Sequence, residues 1–190
     1  MTVAPGKLVI ISGPSGAGKS TVVRDLLQSC PLPLRLSVSA TTRAAREGEV
    51  DGQQYWFVSQ EEFRRRRENG EFLECFEVFG RGDWYGTPSQ PVASGLKAGQ
   101  WIILEIDIQG ARSVLESMPD AITIFVQPRN IEELERRLRG RKSEPEAAIQ
   151  RRLEVACEEL REAAWYQHTV INDEVPATSR EICRLLHTYK

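Results

Sequence analysis

The residues GPSGAGKS at positions 13–20 decide the fold class of this chain. They match G-x-x-x-x-G-K-[ST], a glycine-rich loop whose backbone N–H groups surround phosphate oxygens. The apolar run LVIIS at 8–12 precedes the loop and predicts a buried parallel strand. Residues 19–30 follow with apolar side chains at helical spacing. Strand, loop and helix in this order favour a phosphate-binding loop over a chance glycine turn.

Strand and helix patterns alternate along the rest of the chain. Predicted strands cover 34–41, 101–108, 121–128 and 169–173, and predicted helices cover 109–117, 131–141, 145–166 and residues from 178 onward. This alternation predicts a three-layer α/β fold with a parallel core sheet.

Residues 42–97 have a different texture, with glycines, short aromatic stretches and a charged helical piece at 60–69. They predict a small mixed α+β lobe inserted into the core. We therefore expect a single compact unit in three parts. These are a core at 1–38, 98–130 and 167–190, an inserted lobe at 39–97, and a helical lid with its following helix at 131–166.

Composition narrows the class of protein. The chain has 190 residues, 41% of them hydrophobic, and a formal net charge of -2. It lacks the basic excess of a nucleic-acid-binding domain, and no apolar run approaches the ~20 residues that span a bilayer. We expect a cytoplasmic protein without a secretory segment.

Its four cysteines, Cys30, Cys75, Cys157 and Cys183, are predicted to be reduced thiols, since their spacing fits no zinc pattern. The isolated residues His168 and His187 are predicted to be structural.

The glycine loop predicts a binding site for the phosphates of a nucleoside triphosphate. Lys19 is expected to contact the β- and γ-phosphates, and Ser20 to reach Mg²⁺. The predicted ATP-binding residues of this segment are Gly13, Pro14, Ser15, Gly16, Ala17, Gly18, Lys19, Ser20 and Thr21. The loop does not identify the acceptor, because GTPases, ATPases and small-molecule kinases share it.

Arg43 and Arg46, three residues apart, suit a second phosphate site, because arginine offers forked donors. Taken alone, the segment fits a pair of solvated arginines equally well. The arginines at 136–152 lie among glutamates, so helix-face ion pairs would also explain them.

Several separated motifs closely resemble the guanylate kinase family, in the same order along the chain. They are SVSATTRAAREGEVDGQQYWFVS at 37–59, FLECFEVFG at 72–80, WYGT at 84–87, LEIDIQGARSV at 104–114, RRLRGR at 136–141, IQRRL at 149–153 and VIND at 170–173.

The resemblance implies roles for individual residues. The GMP phosphate would be held by Arg43, Arg46, Tyr55 and Tyr85, and the guanine side by Ser39, Glu74, Thr87 and Asp107. Arg137, Arg141 and Arg152 would approach the ATP phosphates, with Asn172 near the adenine. The implied catalytic set is Lys19, Arg43, Arg137, Arg141 and Arg152.

The chemistry of guanine supports the role of Glu74. Guanine presents a ring N–H beside an amino group, and one carboxylate can accept both hydrogen bonds. Without the resemblance, a surface carboxylate would be the better interpretation of Glu74.

The implied enzyme is an ATP:GMP phosphotransferase that forms ADP and GDP in purine nucleotide metabolism and GMP recycling. It would use Mg²⁺ with ATP, and its partners would be ATP, GMP and dGMP, with no nucleic acid and no membrane. The oligomeric state stays undecided.

Two other functions are weighed against it. A kinase for another small molecule, such as a ribose phosphate, would not need Glu74 with Ser39. A non-catalytic protein-binding module resembling the family typically loses the loop lysine or the acceptor arginines, whereas Lys19, Arg43 and Arg46 are present.

The chain departs from the family at two places. The loop FGRGDWYGT at 79–87 is longer than the family's pattern, and Trp84 replaces its first tyrosine. Glu105 stands where the family usually has aspartate, which argues against a role for it near Mg²⁺.

Overall fold

A computed structural model describes residues 5–78, 82–140 and 146–190. The strands are β1 Leu8–Ser12, β2 Leu34–Leu36, β3 Ala40–Thr41, β4 Trp56–Phe57, β5 Phe72–Val78, β6 Asp83–Pro88, β7 Trp101–Glu105, β8 Ile122–Gln127 and β9 His168–Ile171. The α-helices are α1 Lys19–Ser29, α2 Gln60–Glu68, α3 Ser89–Lys97, α4 Ile108–Ser117, α5 Ile131–Arg139, α6 Glu146–Arg161 and α7 Val175–His187, with a 3₁₀ turn at Glu162–Trp165.

Five strands form a sheet in the order β2-β7-β1-β8-β9. β8 pairs in parallel with β1, where Val9 lies opposite Ile122, and with β9, where Ile124 lies opposite His168. Every residue of β1 is buried, as a strand covered on both faces requires. The predicted α/β class with a parallel core sheet is confirmed.

A second sheet has the strand order β4-β3-β6-β5, with antiparallel pairing of β6 to both β3 and β5. The prediction of one strand at 34–41 is wrong, because β2 and β3 belong to different sheets. The Ser37 N–H donates to the Ile103 carbonyl at 2.9 Å, whereas the Ser39 carbonyl accepts from the Trp56 N–H at 2.9 Å. The backbone therefore changes its pairing partner between these two residues.

The chain divides into two compact units. The first unit comprises residues up to Leu8, Arg35–Leu104 and Gln109–Ala121. It contains the second sheet, where Phe63 of α2 stacks on Phe72 of β5 with ring centroids 4.5 Å apart. Ser59 caps the N-terminus of α2, since its side chain accepts a hydrogen bond from the Glu62 N–H at 3.1 Å.

The second unit comprises Val9–Leu34, Glu105–Ile108 and residues from Ile122 onward. Helices α5 and α6 pack through apolar residues at helical spacing, namely Leu134, Leu138, Ile149, Leu153 and Ala156. Asn130 caps the N-terminus of α5, and its side chain accepts a hydrogen bond from the Glu133 N–H at 2.8 Å. Helix α7 begins at Val175, ahead of the predicted start near 178, with Pro176 in its first turn.

Two of the four cysteines contradict the prediction of reduced thiols. Cys30, which follows α1, and Cys183 in α7 form a disulfide with their Cα atoms 5.7 Å apart. They are separated by 153 residues in sequence, so only the packing of α1 against α7 reveals the pair. Cys75 and Cys157 are free thiols.

Among the residues that the structure describes, no helix combines the length and apolar character needed to cross a bilayer.

Candidate functional site

The glycine loop joins β1 to α1, as predicted, and its shape depends on its glycines. Gly13, Gly16 and Gly18 have φ angles of 145°, 93° and 86°, in the region that side chains disfavour. A Cβ atom on Gly13 would lie 2.0 Å from the Val126 carbonyl oxygen, and one on Gly18 would lie 2.4 Å from Asn172 Nδ2. The loop is therefore packed tightly against β8 and Asn172.

Lys19 folds back over the loop that precedes it. Its Nζ donates to the carbonyl oxygens of Gly13 at 2.5 Å and Pro14 at 3.1 Å. Burial lowers the pKa of Lys19, while the nearby carboxylates of Glu105, Glu159 and Asp107 act to raise it. Because a partly desolvated ammonium interacts more strongly with anions than one in bulk water, this arrangement suits a polyanionic ligand.

Ser20, at the start of α1, donates a hydrogen bond from its Oγ to Glu105 Oε1 at 2.6 Å. The longer side chain of Glu105 thus reaches the hydroxyl expected to hold Mg²⁺, so its length does not exclude it from that site. A hydroxyl and a carboxylate are hard oxygen ligands of the kind that Mg²⁺ prefers. The donor set fits this ion.

Asn172 and Arg137 both brace the loop. Asn172 is 2% exposed, and its Nδ2 donates to the Ala17 carbonyl at 2.7 Å while its Oδ1 accepts from Thr178 Oγ1 at 3.3 Å. Arg137 donates to the carbonyls of Ala17 at 3.2 Å and Asn172 at 3.0 Å, and it pairs with Glu133. The expected contacts of these two residues with adenine and with ATP phosphates stay predictions.

Arg152 of α6 also reaches the loop, because its Nη2 donates to Ser15 Oγ at 2.6 Å. Thr21 is exposed in the first turn of α1. Arg141 lies outside the described residues, as do positions 79–81 of the longer loop.

Glu159 belongs to this site and was missed from the sequence. Its carboxylate accepts a hydrogen bond from the Ser15 backbone N–H, while its Oε2 is buried and makes no hydrogen bond to the described part of the chain. Burial raises the pKa of Glu159, and the positive charge of Lys19 opposes that shift. Helical spacing offered a signal, because Glu159 lies seven residues, about two turns, after Arg152 on α6.

In the first unit, Glu74 is a buried acid. It is 8% exposed, and its Oε1 accepts a hydrogen bond from Thr87 Oγ1 at 2.5 Å. The register of β5 with β6 places these two residues opposite each other. Interpretation of Glu74 as a surface carboxylate is therefore wrong. Ser39, predicted on the same side, is partly buried and lies just before β3.

Arg43 is held by several groups at once. Its Nε donates to Tyr85 Oη at 3.0 Å, and its two terminal nitrogens donate to Glu49 at 3.0 and 2.9 Å. Its guanidinium carbon lies 5.5 Å from the Tyr55 ring centroid, and Tyr55 and Tyr85 have centroids 5.6 Å apart. Three predicted ligands of the phosphate, Arg43, Tyr55 and Tyr85, therefore lie close together, and the guanidinium of Arg43 contacts both tyrosines.

Glu49 organises this cluster and was also missed from the sequence. Its Oε2 accepts the Arg46 backbone N–H at 2.7 Å, while the Arg46 side chain is exposed. The hydrogen bonds from Arg43 hold the pKa of Glu49 below its usual range, and the same bonds raise the pKa of Arg43. Asp107 lies in the second unit, where its negative charge acts on Lys19.

Replacing Glu49 by glutamine is expected to destabilise the protein at pH 7 by about 1–2 kcal/mol, a fall in Tm of about 2–8 °C. A carboxyl whose pKa is depressed on folding contributes stability above its unfolded pKa of about 4.3 and loses it as the pH falls through the folded value. The difference between wild type and Glu49→Gln should therefore narrow below about pH 4.3 in thermal melts.

The matched control is Glu47→Gln, which changes an exposed glutamate two residues away. Equal Tm values for the two variants at pH 7 would show that the ion pair with Arg43 contributes no measurable stability.

The sequence and the structure of the chain are both similar to those of known proteins of one family. The sequence model of the family described as "Guanylate kinase" matches residues 5–189. The chain is 55% identical over 186 residues to the guanylate kinase of Rhodopirellula baltica, covering 97% of this chain and 89% of that protein. It is 42% identical over 190 residues to the guanylate kinase of Clostridioides difficile, covering 100% of this chain and 91% of that protein. The crystal structure of guanylate kinase from Anaplasma phagocytophilum superposes with a TM-score of 0.81 at 34% identity, covering 98% of this chain and 87% of that one.

Proposed function

The chain belongs to the guanylate kinase family, and from that premise we propose which of its residues carry the reaction. The enzyme is an ATP:GMP phosphotransferase, whose products are ADP and GDP. We propose that its donor site lies on the glycine loop, in the second unit. We propose that its acceptor site lies on the sheet β4-β3-β6-β5, in the first unit.

In the donor site, Lys19 leaves its own loop carbonyls and binds the β- and γ-phosphates of ATP, together with the backbone N–H groups of the loop. The support is the position of its ammonium, already folded over Gly13 and Pro14. Arg137 and Arg152 supply further positive charge, with Arg141 proposed from the resemblance alone. Asn172 keeps the Ala17 carbonyl fixed and, in this proposal, borders the adenine.

We propose that Ser20 and Glu105 hold Mg²⁺, directly or through water. When bound, the ion would neutralise charge on the β- and γ-phosphates. Glu105 also holds the Ser20 hydroxyl at the start of α1, so its carboxylate orients that ligand.

In the acceptor site, the observation that carries the assignment is the buried carboxylate of Glu74. A carboxyl group as buried as that of Glu74, which is 8% exposed, suits a ligand that donates hydrogen bonds to it, and Thr87 already donates one to Oε1. The ring N–H and amino group of guanine would offer two more. Adenine would instead turn a lone pair toward the carboxylate, an arrangement that costs roughly 1–3 kcal/mol or more.

The GMP phosphate would bind where Arg43, Tyr55 and Tyr85 converge, with Arg46 closing on it from the exposed side. Ser39 and Asp107 complete the proposed contacts to GMP. The forked guanidinium of Arg43 suits this role, since its two terminal nitrogens, which donate to the Glu49 carboxylate, would exchange that carboxylate for two phosphate oxygens when GMP binds.

The proposed mechanism needs no general base, because a GMP phosphate oxygen is already anionic at neutral pH. The rate would come from aligning that oxygen with the γ-phosphorus and from neutralising the charge that spreads over the transferred group. Lys19, Arg43, Arg137, Arg141 and Arg152 are the proposed catalytic residues because they carry the required positive charge.

The proposed division of labour assigns residues 39–97 to GMP binding, 131–166 to the lid, and the remainder to the core. We also propose that the enzyme acts in the cytoplasm on free nucleotides, dGMP included, without a nucleic-acid or membrane partner.

A coupled assay of ADP release with ATP, Mg²⁺ and each of GMP, dGMP, AMP, CMP and UMP tests the acceptor assignment. We expect kcat/KM for GMP to exceed that for AMP by about 10⁴-fold. Ribose phosphates belong in the same panel, and a faster reaction with one of them than with GMP would reject the guanine site at Glu74.

A further inference from the structure

The disulfide between Cys30 and Cys183 lies beside a third metal-ligating side chain. His187 follows Cys183 by one helical turn in α7, and its Nδ1 lies 3.7 Å from Cys183 Sγ. Ligand atoms from Cys30, Cys183 and His187 all lie within 4.8 Å of one another. One sulfur from the residue that follows α1 and a sulfur and an imidazole from α7 thus lie at one place.

We propose that these three residues form a redox-controlled Zn²⁺ site, closed as a disulfide when oxidised and open to the cation when reduced. Thiolate and imidazole are the ligands that zinc binds in tetrahedral sites, at about 2.0–2.3 Å. Those lengths put neighbouring ligands about 3.5–3.8 Å apart, and the Cys183–His187 pair already has this separation. His187 Nδ1 also donates a hydrogen bond to the Cys183 carbonyl at 2.8 Å, which Zn²⁺ would displace on binding. A cysteine and a histidine four residues apart on a helix share one face, so both can point at one ion.

The chemistry of opening the site is a two-electron reduction. A dithiol reductant passes two electrons and two protons to the Cys30–Cys183 disulfide and is itself left as a disulfide. Binding Zn²⁺ then releases the two thiol protons, because thiolates are the ligands. While the disulfide is intact, neither sulfur is a thiolate, so oxidation and zinc binding exclude each other.

The site is accessible to both a reductant and a cation. Cys183 is partly exposed and His187 exposed, and both line an open cavity of about 780 Å³. Arg180 and Arg184 line the same cavity. The two thiolates would in turn offset the repulsion between these arginines and a dication. The open side leaves room for water as a fourth ligand.

The proposed ion would replace the disulfide as a link between α1 and α7. Helix α1 begins at Lys19, and the residue after its last turn is Cys30. A hydrogen bond from Ser179 to Asp25 joins the same two helices. Either the disulfide or the zinc complex would fasten the far end of the helix whose start carries the phosphate-binding lysine, so the link would persist in oxidising and reducing surroundings.

The test uses the full chain without nucleotide, in oxidised form and after reduction with a phosphine that is then removed under inert gas. Zn²⁺ uptake is measured by competition with a chromophoric chelator, and Co²⁺ is added separately to detect thiolate-to-cobalt charge-transfer absorption. We expect a single Zn²⁺ per reduced chain and at least ~100-fold weaker binding to the oxidised chain, because losing a direct ligand should cost no less than the 10–100-fold typical of outer-shell partners.

His187→Ala leaves both cysteines in place and removes an exposed side chain, so folding should survive. Its reduced form should bind Zn²⁺ at least ~10-fold more weakly, whereas the matched control Cys157→Ser should bind like the wild type. Equal uptake by oxidised and reduced chains, unchanged uptake by His187→Ala, or no uptake by the reduced chain would each overturn the proposal. Comparison of the oxidised and reduced wild type also corrects for cations held by carboxylates elsewhere.

Discussion

The Lys19→Ala enzyme is expected to lose about 1,000-fold or more in kcat, the scale seen when a preorganised positive donor is removed from a phosphoryl-transfer site. Lys19 is partly buried, so its charge would act on the phosphates through little intervening water. Alanine leaves the backbone N–H groups of the loop in place, so ATP should still bind, though more weakly. The affinity for GMP should change little, because the proposed acceptor residues other than Asp107 belong to the first unit.

Steady-state assays of ADP release and calorimetric titration with GMP together test this expectation. Lys97→Ala is the matched control, since Lys97 is an exposed lysine at the end of α3. Turnover of Lys19→Ala within tenfold of wild type would remove Lys19 from the catalytic set. A loss of GMP binding as large as the loss of turnover would indicate a folding defect, which circular dichroism would detect.

Glu74→Gln is expected to lower kcat/KM for GMP by about 100-fold, while the rate with AMP changes little or rises. Glutamine keeps the size of the side chain but replaces one acceptor oxygen by an N–H₂ donor. That donor would face the guanine N–H groups, so one hydrogen bond to a charged acceptor becomes a clash between donors. Thr87 can still donate to the remaining oxygen, so the fold around β5 and β6 should survive.

The measurement is the ratio of kcat/KM for GMP to that for AMP in wild type and variant. Glu71→Gln serves as the control, because Glu71 is exposed and precedes the same strand. A ratio that stays at the wild-type value in Glu74→Gln would show that another group reads the base. An equal fall in the rates for both substrates would indicate a general loss of structure.

Those parts of the fold that depend on local pattern could be predicted from the sequence. The strand at Leu8–Ser12, the loop and the start of α1 follow from apolar spacing and from glycines that tolerate positive φ. The predicted strand at 34–41 failed because its residues are divided between two sheets. Strand pairing depends on distant backbone groups, such as Ile103 and Trp56, which no local pattern contains.

In the candidate site, too, some residues could be predicted from the sequence and others could not. The loop and the acceptor arginines stand out in the sequence because their motifs are contiguous. Glu49 and Glu159 do not stand out, because the role of each depends on a partner that lies close only in the folded chain. That partner is Arg43 for Glu49 and Ser15 for Glu159. The disulfide is the extreme case, with 153 residues between its cysteines.

The carboxamide of Asn172 that holds the Ala17 carbonyl has a consequence for synthesis of the chain. The two residues are 155 positions apart. At roughly 5–20 residues per second, a ribosome makes the loop some 8–30 s before it makes the side chain that braces it. A nascent chain therefore carries a complete phosphate-binding motif long before that motif is secured, and its capacity to retain ATP should arise abruptly near the end of translation of this segment.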